Sequence, residues 1–251
     1  MLGCITARLS VHRTAETVEQ EAAGCLRARP LESRRVRCCG DTLHAHGAGS
    51  SGKGSGVGVE LKDFSWQRMI EAVEAVRERA LRATAALEKA GIPYAVAGGN
   101  AVAAWVARVD RAAVRTTQDV DILVRRSDLP AITAALEAAG FVPAEVMDVV
   151  CFLDGPDGSP RDAIHLLFAG EKVRDSYPLP TATVEERTQA DDYQVVDLEA
   201  LVRMKLNSFR DKDRMHLRDM LSLGLVDASW LPRLVPLHAE RLQQLIDDPD
   251  G

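Results

Sequence analysis

The 251-residue chain has no apolar run near the roughly 18 residues that a membrane-spanning helix requires, so a soluble, cytoplasmic protein is expected. Positive charge is not in excess. The formal net charge is −6, which argues against a protein that holds nucleic acid by bulk attraction but leaves room for a local basic groove. Residues 1–10 lack an apolar segment followed by a small-residue cleavage site, and no secretion signal is expected. Cysteine is scarce after residue 39: of five, only Cys151 lies beyond it, and the odd count fits a reducing compartment. No Gly-x-Ser-x-Gly elbow or His-Glu-x-x-His helix occurs. Gly52-Lys53-Gly54 lacks the strand, spacing and helix of a phosphate-binding P-loop. Cys151 sits in an apolar run, where a buried structural thiol is expected rather than a nucleophile.

Composition divides the chain. Residues 1–60 carry Cys4, Cys25, Cys38, Cys39, His12, His44 and His46, then a Gly/Ser stretch over 47–58 that reads as a linker. The Cys/His spacing matches no usual zinc pattern, and a disordered extension is the simpler expectation. From Ser65, a helix N-cap, apolar residues Ile70, Val73, Val76, Leu81 and Leu87 recur at helical spacing up to Gly91. Strands are expected over 92–97, 120–124, 147–153 and 163–168, with helices over 100–109 and from a Ser127 cap to 139. Helices over 198–209 (capped by Asp197), 211–223 and 230–246 close the chain. The expected fold is α/β (α+β): a mixed sheet core flanked by helices over 61–180 and a C-terminal helical bundle over 181–251.

Two short motifs carry chemistry. Gly98-Gly99-Asn100 follows the apolar run Tyr94–Ala97, where glycine lets backbone approach a ligand and the next helix offers free N–H groups to phosphate. Thr117-Gln118-Asp119-Val120-Asp121 opens the next strand and places Asp119 and Asp121 on one face. Two such carboxylates repel unless a cation lies between them, so the pair suggests Mg²⁺-assisted chemistry on a nucleoside triphosphate. The competing reading is a solvated strand edge. Arg115 and Thr117 either contact phosphate or cap a turn.

These motifs resemble the signature of the nucleotidyltransferase superfamily of the DNA polymerase β type. The stretch Asp197–Leu206 with Arg210-Asp211-Lys212-Asp213 resembles its bacterial AbiE-type and MenA-type branch. The resemblance spans about residues 65–225. It implies that Gly98 and Gly99 pack on the triphosphate, that Asp119 and Asp121 hold Mg²⁺, and that Asn100 opens a phosphate-binding helix. It also implies that Lys205 reaches the nucleotide and that Asp213 belongs to the same site. Lys205, Phe209, Asp213 and His216 would share one face of a single helix, or form an ordinary solvated stripe. An RNA or small-molecule acceptor and an antitoxin partner follow if the resemblance extends to function.

The chain departs from the family at the third carboxylate. His165 stands where an acid is expected. Three consequences stay open: His165 acts as general base; Asp162, Glu171 or Asp175 swings in; or a catalytically silent nucleotide-binding or regulatory protein remains. Arg108, Arg111, Arg115, Arg125 and Arg126 form a candidate positive rim. Asp191-Asp192 with Glu185-Glu186 is the slender basis for an acidic, drug-adenylylating pocket.

Overall fold

A computed structural model describes residues 65–146 and 149–250. The Cys/His cluster, the Gly/Ser stretch and Gly52-Lys53-Gly54 lie outside the described residues, as do Met147 and Asp148 of one expected strand. The described residues form one compact unit. No helix among the described residues is long and apolar enough to cross a membrane.

Helix α1, Trp66–Lys89, starts where Ser65 Oγ accepts the Arg68 N–H, a side-chain cap that satisfies one orphan donor. Gly91, at φ +66°, turns the chain into β1 (Tyr94–Val96). The remaining elements are α2 (Gly98–Ala107), β2 (Val120–Val124), α3 (Leu129–Ala138), β3 (Val142–Val146), β4 (Val149–Leu153) and β5 (Ile164–Phe168). After them come β6 (Arg187–Gln189), β7 (Gln194–Val196), α4 (Leu198–Ser208), α5 (Asp211–Ser222) and α6 (Pro236–Asp247).

The strands make one mixed sheet in the order β3-β4-β5-β2-β1-β7-β6. β2 runs antiparallel to β1 and parallel to β5, and β1 runs parallel to β7. Strand β2 is central and near-continuously apolar, as a strand covered on both faces must be. Of its five residues only Asp121 is not fully buried. Helix α1 packs with α3 and onto β2 and β5, and α2 packs on β2 and β7 and meets α4 and α5. Helices α4, α5 and α6 enclose a second apolar cluster built on Val202, Leu206, Leu217, Met220, Leu242 and Leu245. The α/β expectation is met.

Four local expectations differ. The sheet does not end near residue 180, because β6 and β7 add to it beside β1. Ser127 caps no helix: its hydroxyl donates to Asp128 Oδ1, and a short 3₁₀ turn at Arg126–Asp128 precedes α3. The first half of the α1 stripe is not core, since Ile70 and Val73 are exposed. Proline at 232 and 236 splits the expected helix over 230–246 into a 3₁₀ turn, Ala228–Arg233, and α6.

Candidate active site

The site forms where the N-terminal ends of β2 and β5 meet the start of α2. Asp119 lies just before β2 and Asp121 is its second residue. The parallel β2–β5 register sets Asp121 opposite His165. One donor atom each from Asp119, Asp121 and His165 lies within 4.8 Å of the others, and His165 Nδ1 is 3.8 Å from Asp121 Oδ1.

Several contacts hold the two acids. Asn100 Nδ2 donates to the Asp119 carbonyl at 2.9 Å, and the Ala97 N–H donates to the Asp121 carbonyl at 2.8 Å. Thr117 Oγ1 donates to Asp119 Oδ1 at 2.6 Å, and Lys212 Nζ sits 3.5 Å from Asp119 Oδ2. Arg79 of α1 is buried and donates to the Gln118 carbonyl at 3.1 Å and to Asp154 at 3.2 Å, tying down the loop before Asp119. Arg79 is absent from the sequence motifs, and Lys212 stands in the Arg210–Asp213 motif without an expected role. The available signal for Arg79 was a charged residue set among the core-facing positions of α1, beside Ala80 and Ala83.

The glycines are explained by this packing. Gly98 has φ +61°, and a Cβ there would lie 2.7 Å from Asp121 Cγ and closer still to Oδ2. A Cβ on Gly99 would lie 2.9 Å from that of Thr117. The first glycine therefore makes room for the Asp121 carboxylate, and the second for the loop that orients Asp119. The N-cap of α2, Ala97, offers no side-chain acceptor, so the first-turn N–H groups stay free of side-chain caps.

Electrostatics at the pair is uneven. Burial, then the charge of Asp119, pushes the Asp121 carboxyl above the ordinary range. For Asp119, burial also pushes upward, but the Thr117 hydroxyl and the Lys212 charge outweigh it and hold the carboxyl low. A divalent cation fits such a place: two carboxylates and an imidazole converge, and the Gly98 cradle keeps the space around Asp121 that a side chain would fill.

Lys205 and Asp213 do not lie on one helix. Phe209, at φ +49°, ends α4, and α5 starts at Asp211. Across that bend Lys205 Nζ meets Asp213 Oδ1 at 2.9 Å, both side chains almost fully buried, so the stripe is not a solvated one either. Asp213 also accepts from Ser208 Oγ at 2.7 Å and from Arg210 Nε at 2.8 Å. Burial pushes its carboxyl up, but Arg210 and Lys205 hold it well below the usual range.

Of the arginine rim, Arg115 pairs bidentately with Asp219 at 2.6 and 3.0 Å. Arg125 pairs with Glu185 at 2.5 Å and Arg126 with Glu171 at 2.7 Å. Glu171 is therefore already held. Arg108 and Arg111 line a separate cavity of about 460 Å³ with Asp191 and Asp192, away from the acid cluster. Glu186 pairs with Arg203. The expected acidic pocket is thus not assembled beside Asp119. Asp162 belongs to a 3₁₀ turn, Pro160–Asp162, not to β5. Burial pushes the Cys151 thiol up, in keeping with a structural cysteine.

Two cavities meet at the cluster. An inner one of about 660 Å³ is lined by Gly98, Asp121, Lys172, Arg174, Lys205 and Arg210. An outer one of about 900 Å³ is lined by Arg115, Thr117, Arg161 and His216. Asp119, Pro160, His165 and Lys212 border both.

Residues 63–189, about half of the chain, match the model of a family described as uncharacterised nucleotidyltransferases. The chain belongs to this family. As a nucleotidyltransferase it is a transferase enzyme. No curated protein matches it. Among solved structures it is similar to ANT(2″)-Ia in complex with adenylyl-2″-tobramycin, at 16% identity over 68% of this chain and 98% of that one, with a TM-score of 0.44. It is also similar to an antigenic nucleotidyltransferase-like protein from Paracoccidioides brasiliensis, at 15% identity over 71% and 91%, with a TM-score of 0.44. Both likenesses are remote, and the family assignment of this nucleotidyltransferase rests on the family model.

Proposed function

We propose that this nucleotidyltransferase moves a nucleoside monophosphate from an NTP to a hydroxyl or phosphate acceptor, at Asp119 and Asp121, with a divalent cation such as Mg²⁺. The observation that supports this most is the meeting of two cavities at one acid cluster. The inner cavity has the features of a triphosphate site: Gly98 at the start of α2, a helix N-terminus without a side-chain cap, and the cations Lys172, Arg174 and Arg210. Lys205 adds positive charge near Asp121 while being positioned by Asp213. Asn100 and Thr117 fix Asp119.

The outer cavity receives the acceptor. Its charged lining is mainly basic, with Arg161 and Lys212 against Asp119, and Arg115 balanced by Asp219. That suits an anionic acceptor such as an RNA end better than a polycationic drug. In the reaction the acceptor oxygen attacks the α-phosphorus, the bond from α-phosphorus to the β-bridging oxygen breaks, and pyrophosphate leaves. The acceptor proton passes to a cluster carboxylate or to solvent. A bound cation would neutralise the charge that builds on the phosphates.

The test is incubation with each α-labelled NTP, Mg²⁺ and either total RNA or an RNA-free small-molecule extract. Label in one acceptor pool with wild type, and none with Asp119→Ala/Asp121→Ala, supports transfer. Mg²⁺-dependent NTP binding without label in either pool would favour a silent binder, the reading that the replaced third carboxylate supports.

A further inference from the structure

We infer that His165 is a ligand of the same divalent cation through Nδ1, and that it turns the site's preference from Mg²⁺ toward a first-row transition metal. This rests on the reading of Asp119 and Asp121 as a cation site.

The backbone supplies the first argument. β5 lies parallel to β2 with His165 in register with Asp121, so the two side chains stand side by side on one face of the sheet. The second argument is the ring's orientation. His165 Nε2 lies 3.1 Å from the Pro160 carbonyl oxygen. A carbonyl oxygen only accepts, so Nε2 carries the hydrogen. In the neutral ring the lone pair is then on Nδ1, the nitrogen that faces Asp121 Oδ1 at 3.8 Å. A backbone carbonyl on the remote N–H is the kind of outer contact that fixes the tautomer and ring orientation of metal-bound histidines. Donors on one ion lie no farther apart than about 4.2 Å, twice a metal–ligand bond of about 2.1 Å, and 3.8 Å falls inside that reach.

The ligand role also separates His165 from a general base. Its one lone pair is on the nitrogen 3.8 Å from Asp121 Oδ1, so an ion bound there would occupy it, and a proton acceptor must have its lone pair open. The donor set becomes two carboxylates and one imidazole. Mg²⁺ prefers all-oxygen, near-octahedral surroundings, whereas imidazole nitrogen gains affinity along the first-row divalent series. The cations nearby, Lys205 and Lys212, carry no lone pair when charged and cannot substitute as ligands.

The experiment uses the full chain with Mn²⁺ as the probe, read by pulsed EPR for ¹⁴N coupling and by competition with Mg²⁺. Wild type should show imidazole ¹⁴N coupling to bound Mn²⁺ and bind Mn²⁺ in preference to Mg²⁺. His165→Gln should lose the coupling and weaken Mn²⁺ binding. His165→Asp should restore binding without the coupling and lower the Mn²⁺ preference. Mn²⁺ that depends on Asp119 and Asp121 but shows no ¹⁴N coupling would overturn the ligand role alone. Mn²⁺ binding that Asp119→Asn and Asp121→Asn leave unchanged, or no binding at all, would overturn the cation site and with it this inference.

Discussion

At the scale of single residues, Gly98 and His216 make the strongest claims. Gly98→Ala meets both a left-handed backbone and the Asp121 carboxylate. It should lose roughly 1–3 kcal/mol of stability from the backbone alone. Divalent-cation affinity should also fall, by about tenfold or more, because Asp121 must move. Gly140→Ala is the control: φ is +86° but the space is open, so stability falls without a change in cation affinity. Cation titration beside urea unfolding of both variants separates the two effects. His216 is buried in α5, and its Nδ1 has no hydrogen-bond partner. Burial, then the Lys205 charge, lowers its pKa to about 4 from the ordinary 6.5. A base with a lowered folded pKa leaves stability whole above 6.5 and erodes it as pH falls toward 4, by about 1.4 kcal/mol per pH unit. Buried His238 shifts in the same direction. Urea unfolding at pH 7.5, 6 and 5 should show the loss, and His216→Gln should lessen its slope. An unchanged slope would remove His216 as a cause.

At the scale of elements, the bend between α4 and α5 is the part that stability depends on most sharply. Asp213→Ala leaves Lys205 buried without its partner and should cost about 3–5 kcal/mol. Arg115→Ala breaks the Asp219 pair, but Arg115 is 54% exposed, so the cost should stay under about 1 kcal/mol. Denaturant midpoints of the two variants check the contrast. The same elements show what the sequence made legible. Helix α1 was readable from its Ser65 cap and Gly91, α4 from its Asp197 cap, and β2 from five consecutive residues of one pattern. Strand β3 was hidden by Pro143, and β6 and β7 by having three residues each, too few to display a period. The Lys205–Asp213 contact was sensed through spacing, but the spacing assumed one helix. The left-handed turn at Phe209, a residue that gives no cue for it, makes the contact instead. Asp119 and Asp121 were legible because a two-residue strand period puts them on one face, His165 only through the family resemblance. The parallel register that sets His165 opposite Asp121 is visible in the fold alone. The Arg79 anchor was not, since its partner is a carbonyl 39 positions away.

At the scale of the whole molecule, two cavities share Asp119, His165 and Lys212 as a common wall. If the inner one holds the triphosphate and the outer one the acceptor, then charge in the outer cavity controls the acceptor alone. Arg161→Glu should raise KM for an anionic acceptor several-fold and leave NTP affinity unchanged, with steady-state kinetics reading both. The central claim is that the acid cluster passes a nucleotidyl group between these cavities. Its most direct test is parallel incubation with α-labelled and γ-labelled NTP in the presence of divalent cation and acceptor. Transfer predicts that α-label enters the acceptor while γ-label is released in pyrophosphate, both abolished by Asp119→Asn/Asp121→Asn. γ-Label on the acceptor, or α-label transfer that survives the double variant, would contradict it.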